Sequence, residues 1–243
     1  MECKMTKHID IRASMCGHDG LLSFPATFAL FMDLASEHGS AIQLGMKDLS
    51  ARGMFWLTVK TRIRFHRRPA MLTEAVADTW PEKPGRIRTN RYYVLRDSEG
   101  VLAEGKTEWA IIDVASGKLQ KLSEVYPGGL NHLPDVVCPG PYARIPEDFT
   151  DCPEIGCCTV GSSDIDVGHH MNNAVYLRAL FGAFTCAQLD EMQVLEAEIA
   201  FRSHCYEVDR LSIRLRKTDT GADVGMVRDD GTTAAAARLT FGV

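Results

Sequence analysis

Apolar and polar residues alternate most regularly over Phe55–His66. Phe55, Leu57, Val59, Ile63 and Phe65 lie on one parity, and Trp56, Thr58, Lys60, Arg62, Arg64 and His66 on the other. Period two predicts a strand with one inward and one outward face. Further strands are predicted over Leu72–Trp80, Arg86–Leu95 and Val101–Asp113, separated by the turns Pro81–Gly85 and Asp97–Gly100; such short connections make an antiparallel meander. Ahead of them lie a short strand over His8–Ala13 and a polar loop over Ser14–Ser23. A helix is predicted from Pro25 to Leu44, ended near Gly45, because Phe24, Phe28, Phe31, Met32, Ala35 and Ile42 recur at helical spacing behind a first-turn proline.

Six of the ten prolines then fall between Pro127 and Pro153, a density that regular ladders do not tolerate. After it the first pattern returns. A strand over Gly156–Val160 leads into a polar loop and an apolar helix over Ala174–Leu189, expected to be mostly buried. Strands follow over Leu195–Arg202, Leu211–Arg216, Asp223–Arg228 and Thr232–Phe241, the last two around the turn Asp229–Gly231. The order strand, polar loop, helix, four strands therefore occurs twice. The reading is α+β: two helix-wrapped antiparallel sheets in one chain, at residues 1–120 and 154–243, with a Pro/Gly-rich linker at 121–153.

Composition narrows the function classes. The 243 residues are 45% hydrophobic and carry a net charge of -5, so no nucleic-acid partner is expected. No run approaches the roughly 20 apolar residues of a membrane span and no leader is visible, so the chain is expected to be cytoplasmic and away from membranes. The eight cysteines are scattered without a Cys-x-x-Cys pair; reduced thiols are expected, with neither a disulfide framework nor a metal site.

Between Asp164 and Asn173, two acids, two histidines and two asparagines fall within ten residues, ending at the apolar helix. Asn172 or Asn173 suits the helix cap. The free N–H groups and positive dipole end of the helix point at this cluster, which favours an oxyanion or a polarised carbonyl.

Asp166-x-x-x-His170-x-Asn172-Asn173 leading into an apolar helix resembles the active-site segment of hotdog-fold thioesterases. The flanking Ser163-Asp164-Ile165-Asp166 and the closing Asn172-Asn173-x-x-Tyr176-Leu177 resemble the acyl-acyl carrier protein thioesterases of plant plastids and their bacterial relatives. The resemblance implies a double hotdog. It implies hydrolysis of fatty acyl-acyl carrier protein to free fatty acid and carrier protein, without cofactor or metal. The alternatives are an acyl-CoA thioesterase and a non-catalytic acyl-binding protein. The expected partner is acyl carrier protein, bearing the acyl-phosphopantetheine substrate; a homodimer stays open.

Carried over residue by residue, Asp166 is the water-activating base or nucleophile and His170 the family histidine. Asp164 reads as a turn residue. Gly168 departs from the family, which usually has Asn there; backbone N–H groups around Gly168 and the helix start are the substitute donors, with Asn172 and Asn173 beside the substrate. Cys205 stands where the family often reads Glu-Cys, and His204 replaces the Glu. Cys205 is either a nucleophile activated by His170 or His204, or a buried pocket residue, the reading favoured here. Arg62, Arg64, His66 and Arg68 are expected to share an outward strand face, and Arg64 and Arg68 to meet the acidic carrier. The matching loop of the first unit, Cys16–Gly20, lacks the motif and is expected to be a degenerate copy.

Overall fold

The computed structural model describes residues 3–242; residues 1 and 243, the outer bounds of the two predicted units, lie outside the described residues. The chain divides into two compact units, Met1–Gly140 and Pro141–Val243. In the first, strand β1 (Met5–Asp10) precedes helix α1 (Phe24–Ala41) and a short helix α2 (Met46–Ser50). Strands β2 (Met54–Phe65), β3 (Glu74–Pro81), β4 (Thr89–Asp97) and β5 (Gly100–Asp113) follow, then the turn of helix α3 (Leu122–Val125). In the second, β6 (Glu154–Thr159), α4 (Asn173–Gly182) and α5 (Cys186–Met192) precede β7 (Val194–Phe201), β8 (Arg210–Thr218), β9 (Gly221–Arg228) and β10 (Thr233–Phe241). The strand orders are β1-β3-β4-β5-β2 and β6-β8-β9-β10-β7, all pairs antiparallel. The predicted repeat is thus a repeat of topology: each unit puts its first strand at one edge and returns by a helix.

Helix α1 starts where Ser23 caps it, its side chain accepting from Ala26 N, with Pro25 in the first turn. Its buried stripe of Phe24, Phe28, Phe31, Leu34 and Ala35 meets the sheet. Phe24 packs edge-on against Phe65 and Phe31 stacks on Tyr93, at 4.8 and 4.6 Å between ring centres. The helix stops earlier than its pattern predicts, because Gln43 turns left-handed (φ 61°) and Leu44 N–H bonds back to Gly39 O at 2.8 Å.

Strand β2 departs from strict alternation. Its register to β5 shifts between Thr58 and Lys60, leaving Val59 as an extra residue. Such a bulge reverses the parity of everything before it. Trp56 therefore packs with Ile42, Leu44 and Ile111, its Nε1 donating to Leu44 O at 2.8 Å, instead of facing outward. The outward basic stripe is also corrected. Arg62 is 6% exposed and donates to Pro139 O; Arg68, beyond the strand, is held elsewhere.

The predicted linker is absorbed by both units. Leu122, Val125 and Leu130 join the core of the first, and Trp80 Nε1 bonds Asp135 O at 3.0 Å. Phe149 and Cys152 join the core of the second. The predicted helix over Ala174–Leu189 is two helices: Thr185 and Gln188 form a reciprocal capping box that starts α5. Expected burial holds for Val175, Tyr176, Leu177 and Leu180, whereas α5 buries none of its residues. Among the described residues no helix is long and apolar enough to cross a membrane.

Candidate active site

Between β6 and α4 the chain makes one helical turn at Ser162–Asp164 and then a tight hairpin in which Ile165 bridges Met171. Asp166 and His170 close its tip: Asp166 N–H donates to His170 O at 2.9 Å and His169 N–H to Asp166 O at 3.0 Å. Asp166 Oδ1 accepts the Gly168 N–H at 2.8 Å, an Asx turn of the kind that aspartate forms readily. His169 takes the left-handed position at φ 61°, where glycine is the usual residue.

The first unit contains the same loop. Cys16 bridges Leu22, Gly17 N–H bonds Leu21 O at 2.9 Å, Gly20 N–H bonds Gly17 O at 3.0 Å, and Gly20 has φ 72°. In this register Gly17 stands at the position of Asp166 and Leu21 at that of His170. The backbone of the hairpin persists, but neither of these positions carries the acid or the imidazole; the loop's own His18 and Asp19 stand at the positions of Val167 and Gly168.

In the second unit the hairpin is tied to the segment after β7 by Met171 N–H donating to Cys205 O at 2.8 Å. This tie brings His204 onto His170: the imidazoles stack at 3.9 Å with planes 21° apart. Tyr206 tilts against His170 from 5.3 Å, a contact the sequence reading missed; position 206 carries no motif signal. Burial, then the neighbouring His170, push the His204 pKa below its ordinary value, while the Asp166 carboxylate opposes them. Asp166, His170 and His204 therefore form one electrostatic cluster.

Cys205 lies behind it. It is fully buried, and its thiol faces the Tyr176 phenol. Burial pushes the thiol pKa up, although the Tyr176 hydrogen bond works the other way. A buried thiol held in its protonated form is a poor nucleophile, so the geometry agrees with a packing residue.

The other candidates separate by what their polar atoms already do. Asn172 is the α4 cap, its side chain accepting from Ala174 N at 2.9 Å; Asn173 is the first residue of the helix. The Gly168 N–H is occupied by Asp166 and does not serve as a free oxyanion donor, which corrects the substitution expected for the missing Asn. Asp164 is structural, accepting from Gly161 N at 3.0 Å and from Arg178 at 2.6 Å.

Arg64 is half-buried on β2. Arg68 is engaged with Asp19 and with the carbonyls of Leu21 and Leu22. It fixes the first-unit hairpin, which removes it from the expected carrier-binding face. Arg68→Glu is accordingly expected to lower the melting temperature by several degrees, and to reduce turnover of acyl-carrier protein and of a small acyl thioester equally. A loss confined to the carrier substrate, with unchanged melting, would restore the docking role.

Residues 2–127 match the acyl-ACP thioesterase N-terminal domain and residues 152–242 the acyl-ACP thioesterase C-terminal domain. The chain is 22% identical over 203 residues to an oleoyl-acyl carrier protein thioesterase, chloroplastic, from Coriandrum sativum, an alignment covering 77% of this chain and 53% of that protein. It spans about half the length of the curated relatives it matches. An acyl-ACP thioesterase from Bacteroides thetaiotaomicron superposes with a TM-score of 0.87 at 19% identity, over 98% of each chain. The 12:0-ACP thioesterase from Umbellularia californica gives 0.87 at 16% identity, over 100% of this chain and 98% of that one. These likenesses show the α+β double hotdog fold, and with both domain models matched in order the chain belongs to the acyl-ACP thioesterase family.

Proposed function

We propose that the chain hydrolyses fatty acyl-acyl carrier protein, releasing free fatty acid and carrier protein. The observation that carries this reading is the packing of His170 on His204 within the field of Asp166, just ahead of the N-terminus of α4. A thiol of pKa about 8.5 leaves without much acid assistance, so the demanding steps are activating water and stabilising the carbonyl oxygen.

Asp166 is suited to the first. Oδ1 is committed to the Gly168 N–H, which fixes the carboxylate and leaves Oδ2 to take a proton from water as the oxygen attacks the carbonyl carbon. His170 is suited to the second: with its ring faces held by His204 and Tyr206, its nitrogens point along the ring edges and can donate to the developing oxyanion. The α4 dipole adds positive potential there. His204, kept neutral near pH 7, can hold the water by a ring nitrogen and so take over the polar role of the Glu it replaces.

Two positive imidazoles at this spacing would repel strongly. The acid limb of kcat/KM is therefore expected below the ordinary imidazole pKa of about 6.5, because protonation of His204 sets it. His204→Gln should lower the rate about tenfold to a hundredfold and abolish that limb. An unchanged limb in this variant would exclude His204 from the reaction.

The reading itself is tested by assaying acyl chains of graded length on acyl carrier protein and on CoA. Preference for the carrier-protein thioester supports it. Preference for CoA makes the chain an acyl-CoA thioesterase, and binding of acyl chains without hydrolysis of either makes it a binding protein.

A further inference from the structure

We propose, on the hydrolysis reading above, that Val208 is a recognition residue for the pantetheine arm of the acyl thioester, and that the turn carrying it forms an apolar rim with Val167 and Tyr206 beside His170. Val208 has φ 68° and is 79% exposed. An exposed valine alone needs no explanation, but a β-branched residue in the left-handed region is an outlier. It is the third residue of a tight turn, Tyr206–Asp209, closed by Asp209 N–H donating to Tyr206 O at 3.1 Å. A left-handed third position ordinarily takes Gly or Asn. The surroundings fix this conformation. Val208 N–H donates to Val160 O and Val160 N–H to Asp209 O, both at 2.9 Å, and Asp209 Oδ2 accepts the Tyr206 N–H at 2.9 Å. The valine side chain stands in water and gains little packing to offset the strain, the situation in which strain points to function.

The first unit makes the same turn. Leu72, at φ 70° and also 79% exposed, is third in Ala70–Thr73, where Thr73 N–H donates to Ala70 O at 3.2 Å. Leu72 N–H donates to Ile11 O at 2.7 Å and Ile11 N–H to Thr73 O at 3.0 Å. The backbone of the turn therefore belongs to the fold, and the register puts Ala70 at the position of Tyr206. The second unit alone has an aromatic ring there, tilted on His170 at 5.3 Å. It also carries apolar Val167 on the hairpin where the first unit has His18. Val167 is 70% exposed and Tyr206 49%, so these side chains suit a ligand that stays partly in water. The acyl chain is a poor match, because hydrocarbon gains most where it leaves water completely. The arm on the other side of the thioester sulfur is amphipathic, with amides and a dimethyl-branched carbon. Glu207, exposed within the turn, and Asp209 beside it oppose a phosphate. The turn therefore meets the uncharged stretch of the arm, between sulfur and phosphate.

Two thioethers, which thioester hydrolysis cannot consume, are titrated calorimetrically into the full chain. S-dodecylpantetheine carries the arm; dodecylthioethanol keeps the chain and sulfur without the amides or the branch. The wild type should bind S-dodecylpantetheine more tightly. Val208→Asn should raise the melting temperature by about 2 °C or more, since Asn enters the left-handed region readily. The same variant should weaken S-dodecylpantetheine about threefold to tenfold, a partial loss of one apolar side-chain contact, and leave dodecylthioethanol unchanged. Val208→Leu, the residue of the first unit, should keep wild-type affinity. Leu72→Asn should be stabilised in the same way and bind both thioethers as the wild type does. A lower melting temperature in Val208→Asn would make Val208 a packing residue and overturn the proposal. So would undiminished binding of S-dodecylpantetheine by this variant, an equal loss for both thioethers, or absence of S-dodecylpantetheine binding by the wild type. Failure of the hydrolysis reading is a separate result: no turnover of acyl-carrier protein or acyl-CoA, with this pattern of affinities intact.

Discussion

Asp166→Asn is expected to lower kcat by roughly 10²–10⁴, the usual worth of a positioned general base, with a smaller change in KM. The substitution isolates the base because Asn keeps a side-chain oxygen for the Gly168 N–H that Asp166 now accepts at 2.8 Å. The Asx turn survives, and with it the hairpin that places His170 on His204. His170→Ala should be impaired to a similar degree. The double variant should be little worse than the poorer single one, as for groups that act as a unit. Asp164→Asn is the control. Asp164 anchors Gly161 and Arg178 and accepts the Asn172 N–H through its carbonyl, so its side chain supports the loop without facing the reaction. It should keep kcat within about twofold and lose at most about 1 kcal/mol of stability, since the Arg178 partner is 67% exposed. Retention of more than half the wild-type kcat by Asp166→Asn would remove it as the base.

The candidate site was legible in the sequence where its residues are neighbours along the chain. Asp166, His170 and the Asn172 cap share one hairpin and one helix start, so spacing alone sufficed to bring them together. His204 was visible as a substitution in a resembled motif, but its stacking on His170 depends on the Met171–Cys205 backbone bond, a long-range contact with no sequence signature. The repeat was legible because hydrophobic periodicity survives divergence; that the first hairpin's His18 and Asp19 do not occupy the positions of His170 and Asp166 shows only when Gly17 and Leu21 are placed in register with Asp166 and His170. Three misreadings have physical causes. A single bulge residue, Val59, reverses parity along β2, and period-two reasoning cannot detect an inserted residue when both faces carry apolar side chains such as Phe55 and Trp56. The break between α4 and α5 was written in Thr185-Cys186-Ala187-Gln188 as a capping box, but the continuing apolar residues concealed it. Arginines on β2 read as solvated because alternation gives a face and says nothing of what covers it; Arg62 lies under the chain at Pro139.

The largest expected effect on folding comes from the proline-rich segment that composition alone marked as a linker. Phe149, in that segment, is fully buried with Cys152, Val227 and Ala236, and its ring lies on the backbone of Gly225 in β9. A methyl group at 225 would approach Phe149 ring atoms to 2.3 and 2.4 Å, far inside contact distance. Glycine in a central strand ordinarily weakens it; here it provides the space for the ring, and Arg216 lies over that ring at 5.5 Å. Phe149→Ala is expected to cost about 3–5 kcal/mol by deleting a buried aromatic. Gly225→Ala should cost about 1–3 kcal/mol, or more if the ring is ejected. The two should not add. Once the ring is gone the methyl group has room, and alanine suits a strand better than glycine, so Phe149→Ala/Gly225→Ala should be more stable than the sum of the single changes by at least about 1 kcal/mol. Urea denaturation of the four proteins measures this coupling directly. Additivity within about 0.5 kcal/mol would mean that Phe149 and Gly225 are not in contact, and that the segment from Pro141 to Pro153 is a linker after all.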